Sequence, residues 1–262
     1  MVSATAPAHE PTAYDKSARY YDSGRLVYSP ILIRHAVTIA RIGPDSTVLD
    51  LGCGPGTIAN DIAAYTGRVI GVDPSEAMPD VARETAPGNV TYVQGTSSDL
   101  SFVDRPVTLA TFGRSFHWMN REATLDRLML PGGCLAFFNV NPIPKAGKAH
   151  AWWHASNKAM EALSALDKDE EEPFGAVWEI NKFPLMRSAF SLVTDRGILG
   201  WHDWSCKKIL HWHLSRYKSG RDQLEERLPE VEATLKKTLA RYGPGPWKTL
   251  NQHKVMIARR PG

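Results

Sequence analysis

The chain has 262 residues, 43% of them hydrophobic, which is enough to bury a substantial core. Its 31 basic and 28 acidic residues leave a formal net charge of +3, too small an excess to indicate a protein that binds nucleic acid. The three cysteines lie far apart, so the sequence indicates neither a local zinc pair nor a disulfide scaffold. It shows no signal-peptide core and no stretch apolar enough to span a membrane. We therefore expect a cytoplasmic protein with one α/β domain, with or without an inserted cap.

The first 13 residues are small, polar and contain proline, and we expect them to form a flexible tail. A group of tyrosines follows, with Arg25 behind it. Ser29 then supplies an N-cap and Pro30 a first-turn proline, and apolar residues recur at helical spacing up to Gly43. This pattern predicts a helix that covers one face of a sheet.

The stretch 47–64 predicts a buried parallel strand, a glycine turn and a helix. Asp50 stands at the end of the strand and faces the crevice in which open α/β sheets bind ligands. Three glycines permit a tight turn and a close approach of ligand to backbone. They are Gly52, Gly54 and Gly56. Pro55, inside the turn, has no N–H to donate, so the loop does not suit a diphosphate.

A second predicted strand, 68–73, ends in Asp73. An acidic residue at this place accepts hydrogen bonds from ribose hydroxyls. Asp50 is then left to face a cationic part of the ligand. Two carboxylates around one glycine loop favour a net-positive cofactor, S-adenosylmethionine, over a dinucleotide.

Three runs of sequence, VLDLGCGPGTIANDIA, VIGVDPSEAM and VTYVQGTSSDL, resemble motifs I to III of class I S-adenosylmethionine-dependent methyltransferases. YDKSARYYDSGR, FGRSFHWMN, LPGG and FFNV are similar to a subgroup that includes trans-aconitate methyltransferase-like and small-molecule methyltransferases. The resemblance implies an α/β, Rossmann-like fold: a seven-stranded, mostly parallel sheet with an antiparallel last strand, plus a helical cap. It implies S-adenosylmethionine as cofactor.

The motifs and the resemblance together give a set of candidate cofactor-binding residues. They are Tyr20, Arg25, Asp50, Gly52, Cys53, Gly54, Gly56, Asp73, Pro74, Met78, Thr96, Ser97, Ser98, Asp99 and Gly113. The resemblance implies that Arg25 meets the methionine carboxylate and that residues 95–99 contact adenine. Ser98 and Thr108 depart from the family pattern, which commonly has acidic residues there. The tyrosines before Arg25 have an alternative role, packing a helix onto the sheet.

The remaining patterns predict a helix at about 75–84, strands at 90–94, 107–111, 134–140 and 251–259, and a helix that begins at Leu228 and carries apolar residues to Tyr242. In this fold the last strand inserts antiparallel beside the fifth. The run 141–144, NPIP, is interpreted as a loop, because the N-P-P-x motif of amino methyltransferases belongs after the fourth strand.

We expect residues 14–144 and 242–262 to form the cofactor-binding domain, and 145–241 to form a mostly helical substrate cap that includes an edge strand. Tryptophans are concentrated in the cap, which favours an aromatic-walled acceptor chamber. The candidate substrate-binding residues are Tyr21, Trp118, Trp152, Trp153, Trp201 and Trp204. The alternative is that these rings pack the core of the cap. An acidic run at 167–172 and a basic stretch at 207–221 are interpreted as solvated surfaces.

The segment 113–118, GRSFHW, follows the fourth strand and is expected beside the transferred methyl. His117 is the leading candidate for a general base, with Ser115 and Arg114 as further catalytic candidates. A carboxylate acceptor needs no base, and Arg114 or His117 would then hold the anion. Alternatively, His117 stacks on Trp118 and orders the loop.

The predicted function is methyl transfer from S-adenosylmethionine to a small-molecule acceptor, aromatic or apolar, such as a secondary metabolite. The acceptor is aligned with an already activated methyl group, so no metal is expected. Membrane and nucleic-acid partners are not expected. Two alternatives stay open: methylation of RNA or protein, and a non-methylating enzyme or sensor that binds S-adenosylmethionine.

Overall fold

The computed structural model describes residues 11–128, 132–143, 150–164, 176–216 and 221–261. Most of the predicted tail and the acidic run at 167–172 lie outside these residues. The tail prediction is wrong from Pro11 onward, because Pro11–Ser17 forms a 3₁₀ helix. None of the described helices is long and apolar enough to cross a membrane.

Seven strands form one sheet. They are β1 (Thr47–Leu51), β2 (Arg68–Asp73), β3 (Val90–Gln94), β4 (Leu109–Gly113), β5 (Cys134–Pro142), β6 (Ser191–Trp204) and β7 (Trp247–Arg259). Their order is β3-β2-β1-β4-β5-β7-β6. Strands β1 to β5 pair in parallel, and β7 runs antiparallel to both of its neighbours, β5 and β6. The predicted sheet, with an antiparallel last strand beside the fifth, is confirmed.

Ten α-helices accompany the sheet in the described residues. They are α1 (Ala18–Gly24), α2 (Pro30–Ala40), α3 (Thr57–Ile62), α4 (Ala77–Arg83), α5 (Arg121–Arg127), α6 (Ala151–Ser164), α7 (Ala176–Arg187), α8 (Cys206–Leu214), α9 (Arg221–Glu226) and α10 (Leu228–Leu239). The side chains of successive strand residues point to opposite faces of the sheet, so each face carries its own apolar core. Val48 packs with Ile33 of α2 and Ile62 of α3 on one face. Leu49 packs with Phe112 and Phe137 on the other.

Some predicted boundaries need correction. β4 begins two residues after the predicted start and reaches Gly113. Asn141 and Pro142 are not a loop, because the long partner strand β7 extends the ladder to a Pro142–Asn251 pair. The predicted helix near 75 begins at Ala77, and the hydroxyl of Ser75 accepts the Met78 N–H at 3.2 Å in the preceding turn.

The edge strand of the predicted cap is β6, which pairs with β7 along its whole length. Helices α6, α8, α9 and α10 pack around a third apolar cluster at this end of the molecule. The basic stretch is not a fully solvated face, because His213 on α8 is buried and burial lowers its pKa to about 3. Burial therefore keeps this imidazole neutral near pH 7.

Candidate active site

The glycine turn after β1 has the conformation that its residues predict. Gly52, Gly54 and Gly56 have φ values of +67°, +54° and +82°, in the left-handed region that side chains other than glycine rarely adopt. A Cβ on Gly56 would also lie 2.1 Å from the Tyr92 hydroxyl oxygen. The turn therefore needs glycine for its backbone and, at Gly56, for space.

The turn lies where the strand order reverses. β2 and β3 lie on one side of β1, and β4 and β5 lie on the other. Loops that leave such a switch point in opposite directions open a crevice at the carboxyl ends of the strands. Residues of β1, the glycine turn, the end of β4 and the α1–α2 segment line one cleft here: Tyr21, Arg25, Leu26, Tyr28, Asp50, Gly52, Cys53, Gly54, Pro55, Thr57, Ile58, Gly113 and Arg114.

Asp73, at the end of β2, binds the glycine turn directly. Its two carboxylate oxygens accept the N–H of Gly54 at 2.9 Å and the N–H of Ser75 at 3.0 Å. Burial raises the pKa of Asp73, and these two hydrogen bonds oppose the shift. Each oxygen has a second lone pair, so the carboxylate can still accept from the two hydroxyls of a ribose.

Asp50 is buried at the floor of the cleft. One carboxylate oxygen accepts the Thr111 hydroxyl at 2.7 Å, and the other makes no hydrogen bond of normal geometry, although the Ala59 N–H lies near enough to favour the ionised form. Desolvation raises the pKa of Asp50 to about 7. A buried carboxylate with an unpartnered oxygen is costly unless a donor reaches it, and a cationic ligand group would both donate and favour the ionised form. The ammonium of S-adenosylmethionine fits this requirement.

Arg25 places a positive charge in the same cleft lining as the Asp50 carboxylate. Its guanidinium lies 4.8 Å from the ring centre of Tyr21 and 5.0 Å from that of Trp212, and it donates to the Ser215 carbonyl at 2.8 Å. Its Nε is buried without a hydrogen-bond partner. Desolvation lowers the pKa of Arg25. The Arg25 guanidinium forms no salt bridge with a carboxylate of the described residues. A rigidly held cation with a free donor fits the methionine carboxylate of the cofactor.

Several predicted residues lie elsewhere. Tyr20 packs edge-on against the His211 ring at 5.2 Å and does not line the cleft. The Ser115 hydroxyl donates to the Leu51 carbonyl at 2.6 Å, so its proton is already used within the fold. The His117 ring lies 4.8 Å from the Trp118 ring, as the alternative interpretation of this loop requires.

The residues expected to contact adenine differ in exposure and in hydrogen bonding. Thr96, Ser98 and Asp99 are exposed, and the Asp99 carboxylate accepts the Ser101 N–H at 2.9 Å. Ser97 accepts the Thr124 hydroxyl at 2.9 Å. Pro74 is half-buried, whereas Met78 is buried and packs in the fold.

The predicted aromatic chamber is wrong for three of its tryptophans. Trp152, Trp153 and Trp204 are buried in one cluster with Trp212, with ring centres 4.8 to 6.3 Å apart. They belong to the core that joins α6 and α8 to β6, because four large rings bury more apolar surface against each other than in an open chamber. Trp201 is 57% exposed on the edge strand, away from the cleft residues.

Among the residues that sequence reasoning missed, one lines the cleft and another supports Asp50 beneath it. Tyr28 lines it three positions after Arg25, and burial raises the pKa of its phenol. Thr111 binds Asp50. The signal for Tyr28 was an aromatic residue immediately before the N-cap of α2, on the same segment as Arg25.

Comparison with known proteins agrees with this geometry. Residues 48–133 match a family described as a methyltransferase domain. An uncharacterized methyltransferase from Mycobacterium tuberculosis is 30% identical over 118 residues, 44% of this chain and 46% of that protein. The chain thus spans less than half of that relative's length. A ubiquinone/menaquinone biosynthesis C-methyltransferase from Rubrivivax gelatinosus is 26% identical over 188 residues, 66% of this chain and 71% of that protein.

Solved structures share the fold. A proposed type II methyltransferase from Anaeromyxobacter dehalogenans superposes with a TM-score of 0.59 at 19% identity, covering 90% of this chain and 97% of that one. An S-adenosylmethionine-dependent methyltransferase from Thiobacillus denitrificans, solved with S-adenosylhomocysteine, has a TM-score of 0.50 at 17% identity, with 93% and 96% covered. Residues 48–133 thus match a methyltransferase domain, and the sheet has the fold of methyltransferases of known structure.

Proposed function

We propose that the protein transfers the methyl group of S-adenosylmethionine to a small-molecule acceptor. The observation that carries the proposal is the charge pattern of the cleft. Asp73 stands ready for ribose hydroxyls, the unpartnered oxygen of Asp50 for an ammonium, and Arg25 for a carboxylate. These groups match three polar parts of the cofactor, and bound cofactor supplies an activated methyl group.

The chain's own task is to position an acceptor and keep water out. The segment before α2 roofs the cleft, because Tyr21 and Arg25 line it while α1 packs against α8. Ion pairs join this segment to α9, Lys16 to Asp222 at 3.1 Å and Arg19 to Glu225 at 2.5 Å. A roofed cleft supports a small acceptor over a nucleic acid or protein surface. Residues 145–241 remain our proposal for the substrate cap.

Aromatic rings close to the cleft support an acceptor with an aromatic or apolar part. Tyr14 lies edge-on to Tyr21 at 6.0 Å and to Trp118 at 6.4 Å. This row of three rings, rather than the tryptophans of the core, is the proposed apolar wall. It agrees with the resemblance to small-molecule methyltransferases.

The test is methyl transfer from labelled S-adenosylmethionine to separate sets of small molecules, RNA and proteins. We expect label only in the small-molecule set, with one labelled product per S-adenosylhomocysteine formed. Label in RNA or protein would favour the macromolecular alternative, and binding without transfer would favour a sensor.

His117 remains the proposed base for a hydroxyl, phenol or amine acceptor. His117→Ala in the same assay should then lose about two to four orders of magnitude in rate while cofactor affinity is unchanged. Unchanged turnover would remove His117 from the mechanism.

A further inference from the structure

A second arginine, Arg114, lines the cleft directly after β4. Its φ is +57°, a value that residues other than glycine seldom adopt. Its N–H donates to the Phe138 carbonyl of β5 at 3.2 Å, so the backbone is held in this conformation by the neighbouring strand. The surrounding fold therefore places a cation at this point of the cleft.

The guanidinium of Arg114 has no ion-pair partner among the described residues. A second cation, Arg25, shares the cleft lining with Arg114, and the two charges lie close enough for Arg114 to contribute to the lowered pKa of Arg25, which is caused mainly by burial. Asp50 is the carboxylate that shares the cleft lining with Arg114, and its partner is already proposed to be the cofactor's ammonium.

The position of Arg114 separates it from the part of the cleft assigned to ribose. Asp73 ends β2 and Gly113 ends β4, with β1 between these two strands. Neighbouring strands lie about 4.8 Å apart, so β2 and β4 are separated by about 10 Å. Arg114 therefore lies on the β4 side of the cleft, about two strand spacings from the residue proposed to bind ribose.

The charges proposed for the bound state favour an anionic acceptor. S-Adenosylmethionine carries a sulfonium, an ammonium and a carboxylate, and Asp50 and Arg25 would match the last two. The sulfonium and Arg114 then remain as two cations, while the remaining carboxylate, Asp73, lies on the ribose side at the end of β2, so an acceptor with a negative charge is favoured over a neutral or cationic one.

We propose that Arg114 is a specificity residue that binds an anionic oxygen group of the acceptor, a carboxylate or a phosphate, beside the transferred methyl. This inference rests on the proposed methyl-transfer function and narrows its substrate class. The anion aligns the acceptor by bidentate hydrogen bonds to the planar guanidinium.

The experiment compares wild-type protein with Arg114→Gln, Arg114→Lys and the control Arg34→Gln, which removes an exposed arginine on α2. Aromatic and aliphatic carboxylic acids, phosphate monoesters and the neutral amides of the same acids are assayed with labelled S-adenosylmethionine. The same compounds are titrated calorimetrically into protein saturated with S-adenosylhomocysteine. Whether acids or phosphates react distinguishes the two anion sources.

We expect wild-type protein to use or bind one anionic set in preference to the amides. Arg114→Gln should lower kcat/KM or affinity for it by about 10- to 100-fold, the loss of a charge-assisted hydrogen bond. Arg114→Lys should retain part of the preference, and Arg34→Gln all of it. Affinity for S-adenosylhomocysteine should change less than about twofold in each variant, because Arg114 is assigned to the acceptor.

Equal use of amides and acids would overturn the inference, as would an Arg114→Gln variant that behaves like wild type. So would the absence of any Arg114-dependent reaction or binding across the panel. A loss of S-adenosylhomocysteine affinity in Arg114→Gln would assign Arg114 to the cofactor instead. Methylation of neutral acceptors alone would leave the proposed function standing, whereas wild-type protein that neither binds S-adenosylhomocysteine nor transfers methyl would remove both.

Discussion

Asp50 shows how one buried side chain couples the fold to the cofactor. Within the described residues, Thr111 is the one side chain that donates a hydrogen bond to it, and its second oxygen is buried without a hydrogen bond of normal geometry. Because the folded pKa of about 7 lies above the usual value for aspartate, Asp50 of the folded chain keeps a proton at pH values at which the unfolded chain has released it. This carboxyl therefore loses its stabilising contribution as pH rises from about 4 through 7.

The pKa of Asp50 predicts a pH dependence of cofactor binding. An ammonium bound at Asp50 favours the ionised carboxylate, so affinity for S-adenosylhomocysteine should rise about tenfold between pH 5.5 and 7.5. Calorimetry across this range measures the rise. Asp50→Asn should bind more weakly and with a flat profile, whereas the exposed control Asp45→Asn should follow wild type. An Asp50→Asn profile as steep as wild type would assign the titration to another group.

At the level of single residues, sequence patterns predicted those candidate site residues whose position follows from a strand end or a turn. Asp50, Asp73 and the glycines were identified because they follow strand ends, and the chain itself determines that position. The contacts of Tyr20 and Ser115 were not predicted. Their surroundings depend on His211 and the Leu51 carbonyl, contacts that no local pattern contains.

Elements with a clear local sequence pattern were predicted well. β2 and β3 have the predicted boundaries, since their runs of β-branched residues end at turn residues. β6 was expected only as an unplaced edge strand. Most of its residues are exposed and glycines interrupt it, so its existence depends on pairing with β7, which begins more than forty residues after β6 ends.

Two tryptophans on β6 test the revised role of the aromatic cluster. Trp204 is fully buried and its Nε1 donates to the Thr249 hydroxyl at 2.7 Å, whereas Trp201 is exposed. Trp204→Ala should lower the free energy of unfolding by about 3 to 5 kcal/mol, because it leaves a cavity. Trp201→Ala, its matched control, should change it by about 0.5 kcal/mol or less. Urea denaturation measures both, and equal effects would contradict a core role for Trp204.

At the scale of the whole molecule, the strand order determines where the cleft lies. The reversal beside β1 brings Asp73, Asp50 and Arg114 from three strands to one edge, and the segment before α2 covers them with Tyr21 and Arg25. Sequence motifs predicted the edge and the cofactor. The roof was implied only by resemblance, because it requires α1 to pack on α8, far away in the chain.

The measurement that tests the account most directly is a calorimetric titration of the protein with S-adenosylhomocysteine and, separately, with NAD. The account predicts binding of S-adenosylhomocysteine with one site per chain and no measurable binding of NAD. Asp73→Ala should weaken the binding by about 1.5 to 3 kcal/mol for each charge-assisted hydrogen bond lost to the ribose, while Asp45→Ala should leave it unchanged. Tight NAD binding with none of S-adenosylhomocysteine would contradict the central claim.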